Sequence, residues 1–172
     1  MPPIDHPCFP DDKDYLDGRS EVTVPPDELK AHWDLDILDV NGIRPNRIIS
    51  VRDPFQVRLR IELCGRLWHC MSGKWCWDVR FTPVGVGTAI DLSSALPGQF
   101  EFEWNGCETR CIEKCVTVPA GTIPGGVPDS CCGALYIVGG VYGFHCCGGV
   151  TPVSGYEKKG DFEFYDPGPG GP

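Results

Sequence analysis

Eleven cysteines are the residues of this 172-residue chain best equipped for chemistry, and their spacing decides which chemistry. Cys64, Cys70 and Cys76 recur every six residues, Cys107, Cys111 and Cys115 every four, and Cys131-Cys132 and Cys146-Cys147 are vicinal pairs. No C-x-x-C is present. A zinc knuckle needs two thiolates converging on one ion at about 2.3 Å, and C-x2–4-C in a tight turn provides that. Cys107-Glu-Thr-Arg-Cys111 falls within the range, so a cysteine-rich zinc-binding domain is one alternative. Its surroundings read as strand, however, where residues four apart lie ~13 Å apart and cannot share an ion. The C-x3-C-x3-C run is one residue off the triplet of radical-SAM enzymes, but a chain this short and helix-poor cannot supply their barrel. Disulfides suit the pattern better. Neighbouring residues on a strand face opposite ways, so each member of a vicinal pair is expected to find a different partner. The disulfide candidates are Cys64, Cys70, Cys76, Cys107, Cys111, Cys115, Cys131, Cys132, Cys146 and Cys147. The odd total leaves one thiol over, and Cys8, alone in the N-terminal arm, is expected to be free or intermolecular.

Other constellations are weaker. His69-Cys70 and His145-Cys146 place base and thiol side by side, but on a strand adjacent side chains diverge, so neither dipeptide makes a catalytic pair by itself. The acid pairs Glu101/Glu103 and Asp161/Glu163 fall on the polar phase of their strands, where solvated charge is the usual meaning. Gly85-Val-Gly-Thr88 lacks the lysine of a phosphate loop, and Asp11–Gly18 has one residue too many for a calcium loop. No catalytic residue, metal or cofactor is expected. Of five tryptophans, Trp33, Trp75 and Trp77 lie in the apolar phase and read as core. Trp68 lies between strands among Arg66, His69 and Lys74, so the 64–74 connection is the place expected to meet a carbohydrate or protein ligand.

Strands must position these residues. Phe55, Val57, Leu59, Ile61 and Leu63 alternate with Gln56, Arg58, Arg60 and Glu62. Trp75, Trp77, Val79 and Phe81 alternate likewise with Cys76, Asp78 and Arg80. These two strands are expected to pair, with Cys76 bridging to Cys64 or Cys70. Further strands are read at Trp33–Leu38, Ile48–Val51, Gln99–Trp104 (leading into an Asn105-Gly106 hairpin), Cys111–Val118, Ala134–Phe144 and Asp161–Tyr165. Gly139-Gly140 reads as a turn or bulge. About eight short strands predict an all-β antiparallel sandwich, immunoglobulin-like in architecture, with a jelly roll as the alternative.

Composition limits the rest. Twenty-two glycines and seventeen prolines favour turns over helices. No run reaches the ~18 apolar residues of a membrane span, and a net charge of −9 argues against nucleic acid. Residues 1–40 carry 11 acids against 3 bases, whereas residues 41–80 carry 3 against 8. The organisation read from this is an acidic, proline-rich arm over 1–32, opening one helical turn at Pro25–His32, then a sandwich over 33–166 and a Pro/Gly tail over 167–172. The N-terminus has no basic and apolar secretory leader, so its cysteines imply an oxidising or extracellular destination by another route. The expected function is non-enzymatic: a disulfide-stabilised sandwich subunit of a homo-oligomeric particle, filament or surface structure. Its partners would be copies of itself or other protein subunits, with the arm docking on the basic segment of its own chain or a neighbour's. The alternative is a monomeric binding module using the 64–74 loop.

Overall fold

Apolar residues at every second position bury one face of a pleated strand, and in the computed structural model this alternation builds ten strands among the described residues. The structure describes residues 8, 19–22, 28–125, 133–146 and 149–168. In chain order the strands are β1 (Arg19–Val22), β2 (Leu29–Leu38), β3 (Ile48–Ser50), β4 (Phe55–Gly65) and β5 (Ser72–Pro83). There follow β6 (Ile90–Asp91), a one-turn helix α1 (Leu92–Ala95), β7 (Glu101–Asn105), β8 (Cys111–Val118), β9 (Ala134–Cys146) and β10 (Gly149–Tyr165).

They form two sheets. The smaller is antiparallel, in the order β2-β4-β8. The larger runs β1-β10-β9-β5-β6, with β3 added in parallel to β10 and β7 added to β5. The protein is an all-β sandwich, as its periodicity predicts. Leu35, Val57, Leu59, Ile61, Leu63 and Ile112 from the small sheet face Trp75, Val79, Phe81, Val138 and Phe164 from the large one, all buried. Phe55, Phe81, Tyr136 and Phe164 meet at the centre, edge to face except for the tilted Phe55–Phe164 pair, with ring centroids 5.6–6.3 Å apart. That geometry suits the aromatic quadrupole and contributes roughly 0.5–1.5 kcal/mol per pair beyond burial.

The structure corrects the expected layout in several places. β4 and β5 do not pair: β4 lies between β2 and β8, and β5 between β9 and the β6/β7 edge. Each has one continuous apolar face, and two such faces bury more area packed against each other than side by side in one sheet. Asn105-Gly106 closes no hairpin, because β7 pairs with β5 and β8 with β4; the turn instead carries the chain between sheets. A Cβ at Gly106 would stand 2.2 Å from the Trp68 carbonyl, so only glycine lets the two loops touch. Residues 29–32 are strand, not a helical turn, and β1 adds to the large sheet. Sheet structure therefore extends into the segment read as arm. Gly139-Gly140 is strand interior, and the bulge lies opposite, on β10 between Lys158 and Gly160.

Candidate functional site

Among the described cysteines, Cys64, Cys76, Cys111 and Cys115 lie on strands of the two sheets, and Cys70 and Cys107 in the loops between strands. Cys8 is bonded to Cys111 within the chain, which corrects its reading as a free or intermolecular thiol. Cys70, Cys76, Cys107 and Cys115 carry free thiols. Cys76 does not bridge to Cys64, for a geometric reason. Cys64 follows inward-facing Leu63 on β4, and Cys76 lies between inward-facing Trp75 and Trp77 on β5. They occupy opposite outer faces, separated by more than the ~10 Å between packed sheets. Burial pushes the Cys76 thiol up, the nearby Glu101 and Glu103 adding to it and Lys74 opposing; burial and then Glu113 do the same to Cys115. Neither thiol has the depressed pKa of a reactive cysteine. Among the described residues no group of histidine, cysteine and acid gathers in a way that would hold a metal ion. The positions of Cys131, Cys132 and Cys147, and the side chain of Cys146, lie outside the described residues.

The 64–74 connection contains a single 3-10 turn at Trp68–Cys70. Trp68 is half-buried against the core, with its ring edge-on to His69 at 5.9 Å. Arg66 is mostly exposed, 4.0 Å from Glu28. Lys74 belongs to β5 and is ion-paired with Glu101 across to β7. Trp68 and His69 stack edge to face, whereas Lys74 is drawn into the sheet.

Two constellations escaped the sequence reading. The first is a layer of charge on the outer face of the small sheet. Asp34 and Asp36 on β2 lie in register with Arg60 and Arg58 on β4. Arg60 reaches Asp34 at 2.8 Å and Asp36 at 3.2 Å, while Arg58 and Arg44 hold Asp36 at 2.7 and 2.9 Å. Lys159 comes from β10 of the other sheet to Asp34 at 3.0 Å and Glu157 at 3.4 Å, and Glu157 accepts the Leu35 amide at 2.9 Å. The unpaired edge of β2 is thereby tied to β10. Burial alone would raise the Asp36 carboxyl, but hydrogen bonds from Arg44 and Arg58 outweigh it and hold it well below the usual carboxylate range. Burial pushes Asp34 and Glu157 up. The signal was present as two interleaved patterns, Asp-Leu-Asp over 34–36 and Arg-Leu-Arg over 58–60.

The second is a trough of about 310 Å3 on the outer face of the large sheet. Three lateral rows cross β5, β9 and β10 there: Asp78, Val141, Tyr156; Arg80, Gly139, Lys158; Thr82, Ile137, Asp161. The middle row has no side chain at its centre, which opens the floor. Gly139 has room, since a Cβ there would rest 3.4 Å from the Glu157 carbonyl. Gly140 faces the other way, where a Cβ would come 2.6 Å from Leu35 in the core. Tyr156, 56% exposed, stands at one wall and Ile137 at another. Asp78 accepts from the Val79 and Ser93 amides at 2.8 and 2.9 Å. Burial raises its carboxyl, with the Ser93 bond opposing and the neighbouring Asp91 carboxyl adding to the rise. Arg80, exposed, lies 3.5 Å from half-buried Asp91. The lining holds an aromatic face, two cations, a hydroxyl and one carboxylate, but no nucleophile beside a base. Sequence reading passed over it because β5, far from β9 and β10 in the chain, supplies three of the lining residues and those two strands the other five.

No family model matches the chain, and no curated protein resembles it in sequence. Four solved chains resemble it in structure. Among them is the crystal structure of the C-terminal domain of wzt, with a TM-score of 0.51 over 87% of this chain and 79% of that one, at 8% identity. Likeness at that identity is one of fold: the chain is similar to that domain as a β-sandwich.

Proposed function

We propose that the protein is a non-enzymatic binding module whose ligand, a small hydroxyl-bearing ring such as a saccharide unit, lies in the trough over Gly139. The observation that carries this reading is the glycine-floored depression walled by exposed Tyr156, within the roughly 300–1,000 Å3 range of ligand sites. A phenol ring offers an apolar face to the C–H side of a sugar, and Asp78, Thr82 and Lys158 offer polar atoms to its hydroxyls. Burial raises the Cys76 and Cys115 thiols, which makes them poorer nucleophiles and supports a role without turnover.

Saturation-transfer NMR on a panel of neutral and acidic monosaccharides tests it. Signals from ring protons with the wild type, lost with Tyr156→Ala, support the reading. A panel that gives no signal, or one that Tyr156→Ala leaves unchanged, overturns it.

Self-association is the second reading, supported by Ile48, Val84 and Leu135, which are exposed at the far end of the same face. Exchange of the arm between copies has lost its support at Cys8, whose partner is in the same chain. Sedimentation equilibrium of the wild type and of Leu135→Asp separates the two: a dimer dissolved by the substitution favours assembly, and a monomer at all concentrations counts against it.

A further inference from the structure

The trough lies on an acidic molecule of net charge −9, yet its central row is cationic on both sides. Arg80 and Lys158 each face Gly139 directly across the ladder. Strands are about 4.8 Å apart, so the two cationic residues spring from points about 10 Å apart with bare backbone between them. Long flexible cations on either side of an empty position can close on one guest group from both flanks. Lys158 is exposed and makes no ion pair among the described residues. Among the described residues Arg80 is ion-paired only with Asp91, at 3.5 Å, with its side chain 61% exposed; such a surface pair contributes little and is readily exchanged.

The rows above and below carry the opposite sign. Asp78 lies in one and exposed Asp161 in the other, so acids bracket the cations along the strand direction. A compact anion is attracted to the middle row and repelled from both ends. Uncharged hydroxyls suit the ends, where a carboxylate accepts their hydrogens.

We infer that the ligand is a hydroxylated ring bearing one anionic group, a carboxylate or a phosphate, seated between Arg80 and Lys158 over Gly139 with the ring against Tyr156. This rests on the binding-module reading and names its ligand class. Polyanions fit poorly, because a second anionic group would fall beside Asp78 or Asp161.

Isothermal titration with glucuronate, glucose 6-phosphate, glucose and inorganic phosphate tests the inference on the wild type, Lys158→Ala, Lys158→Arg and Arg80→Ala. At least one acidic sugar should bind about tenfold or more tightly than glucose, and that advantage should fall as salt is raised. Which of the two does so tells carboxylate from phosphate. Lys158→Ala and Arg80→Ala should each reduce the advantage by about fivefold, and Lys158→Arg should keep most of it. Glucose binding as tightly as both acidic sugars overturns the anion clamp while leaving the binding module in place. Inorganic phosphate binding as tightly as the sugar phosphate overturns the part assigned to the ring. Failure of every compound to bind overturns both readings.

Discussion

Gly139 and Gly140 stand side by side and are needed for opposite reasons. Gly140 lets β9 approach Leu35 in the core, so a methyl group there meets the end of a packed side chain at 2.6 Å. Gly140→Ala should cost about 1–3 kcal/mol as an overpacked core, read as a lower urea midpoint with the slope unchanged. Asp36 is the other residue with a sharp expectation. Removing one member of a buried ionic cluster leaves its partners uncompensated, so Asp36→Asn should cost about 3 kcal/mol or more. Its carboxyl titrates below the ordinary range in the folded chain, so its ion pairs contribute stability above the unfolded value near pH ~4 and lose it as pH falls through the folded one. Asp34 and Glu157, pushed up by burial, work with the opposite sign: their stabilising contribution lies at low pH and is lost as pH rises through their folded values. Subtracting the pH profile of Asp36→Asn from that of the wild type isolates the Asp36 contribution. The difference should shrink between pH 5 and pH 2, and a difference that grows on acidification contradicts the assignment.

At the scale of elements, alternation is reliable and pairing is not. Each long apolar-faced strand was legible because period two is a local property of the sequence. Which strand sits beside which depends on how two apolar faces share one core, and that is settled between segments far apart in the chain. β4 and β5 show it: both were readable as strands, but their places in opposite sheets were not. The bulge on β10 is a second case. Glu157 and Lys159 face β2, while Phe162 and Phe164 face the core, and a spacing of three between Lys159 and Phe162 requires the alternation to be reset once. Gly160, at φ +124°, accommodates that reset. The Cys8–Cys111 bond ties the N-terminal segment to the edge strand β8 across a sequence separation of 103. Closing a loop of that size removes unfolded-state entropy equivalent to about 4–5 kcal/mol, so Cys8→Ser should lower thermal stability measurably. Alkylation of the native protein should spare Cys8 and Cys111 until reductant is added; their labelling without it contradicts the bond.

On the scale of the whole molecule, the sandwich was legible from composition and periodicity, and the arrangement of its two outer faces was not. The small sheet spends its outer face on a charge network that joins both sheets, whereas the large sheet leaves its outer face open at Gly139. Aromatic and basic residues close in sequence pointed to the 64–74 loop, yet folding buried half of Trp68 and paired Lys74 away from the others. The trough draws on β5, β9 and β10, and its most informative residue has no side chain at all. The most direct test is calorimetric titration of Gly139→Val beside thermal melting of the same variant. A β-branched residue suits a strand, and a Cβ here meets the Glu157 carbonyl at an ordinary 3.4 Å, so the melting temperature should stay within a few degrees of the wild type. Binding of the acidic sugar should be abolished, because the new side chain fills the floor between Arg80 and Lys158. A folded Gly139→Val that binds as tightly as the wild type would place the ligand elsewhere and contradict the account.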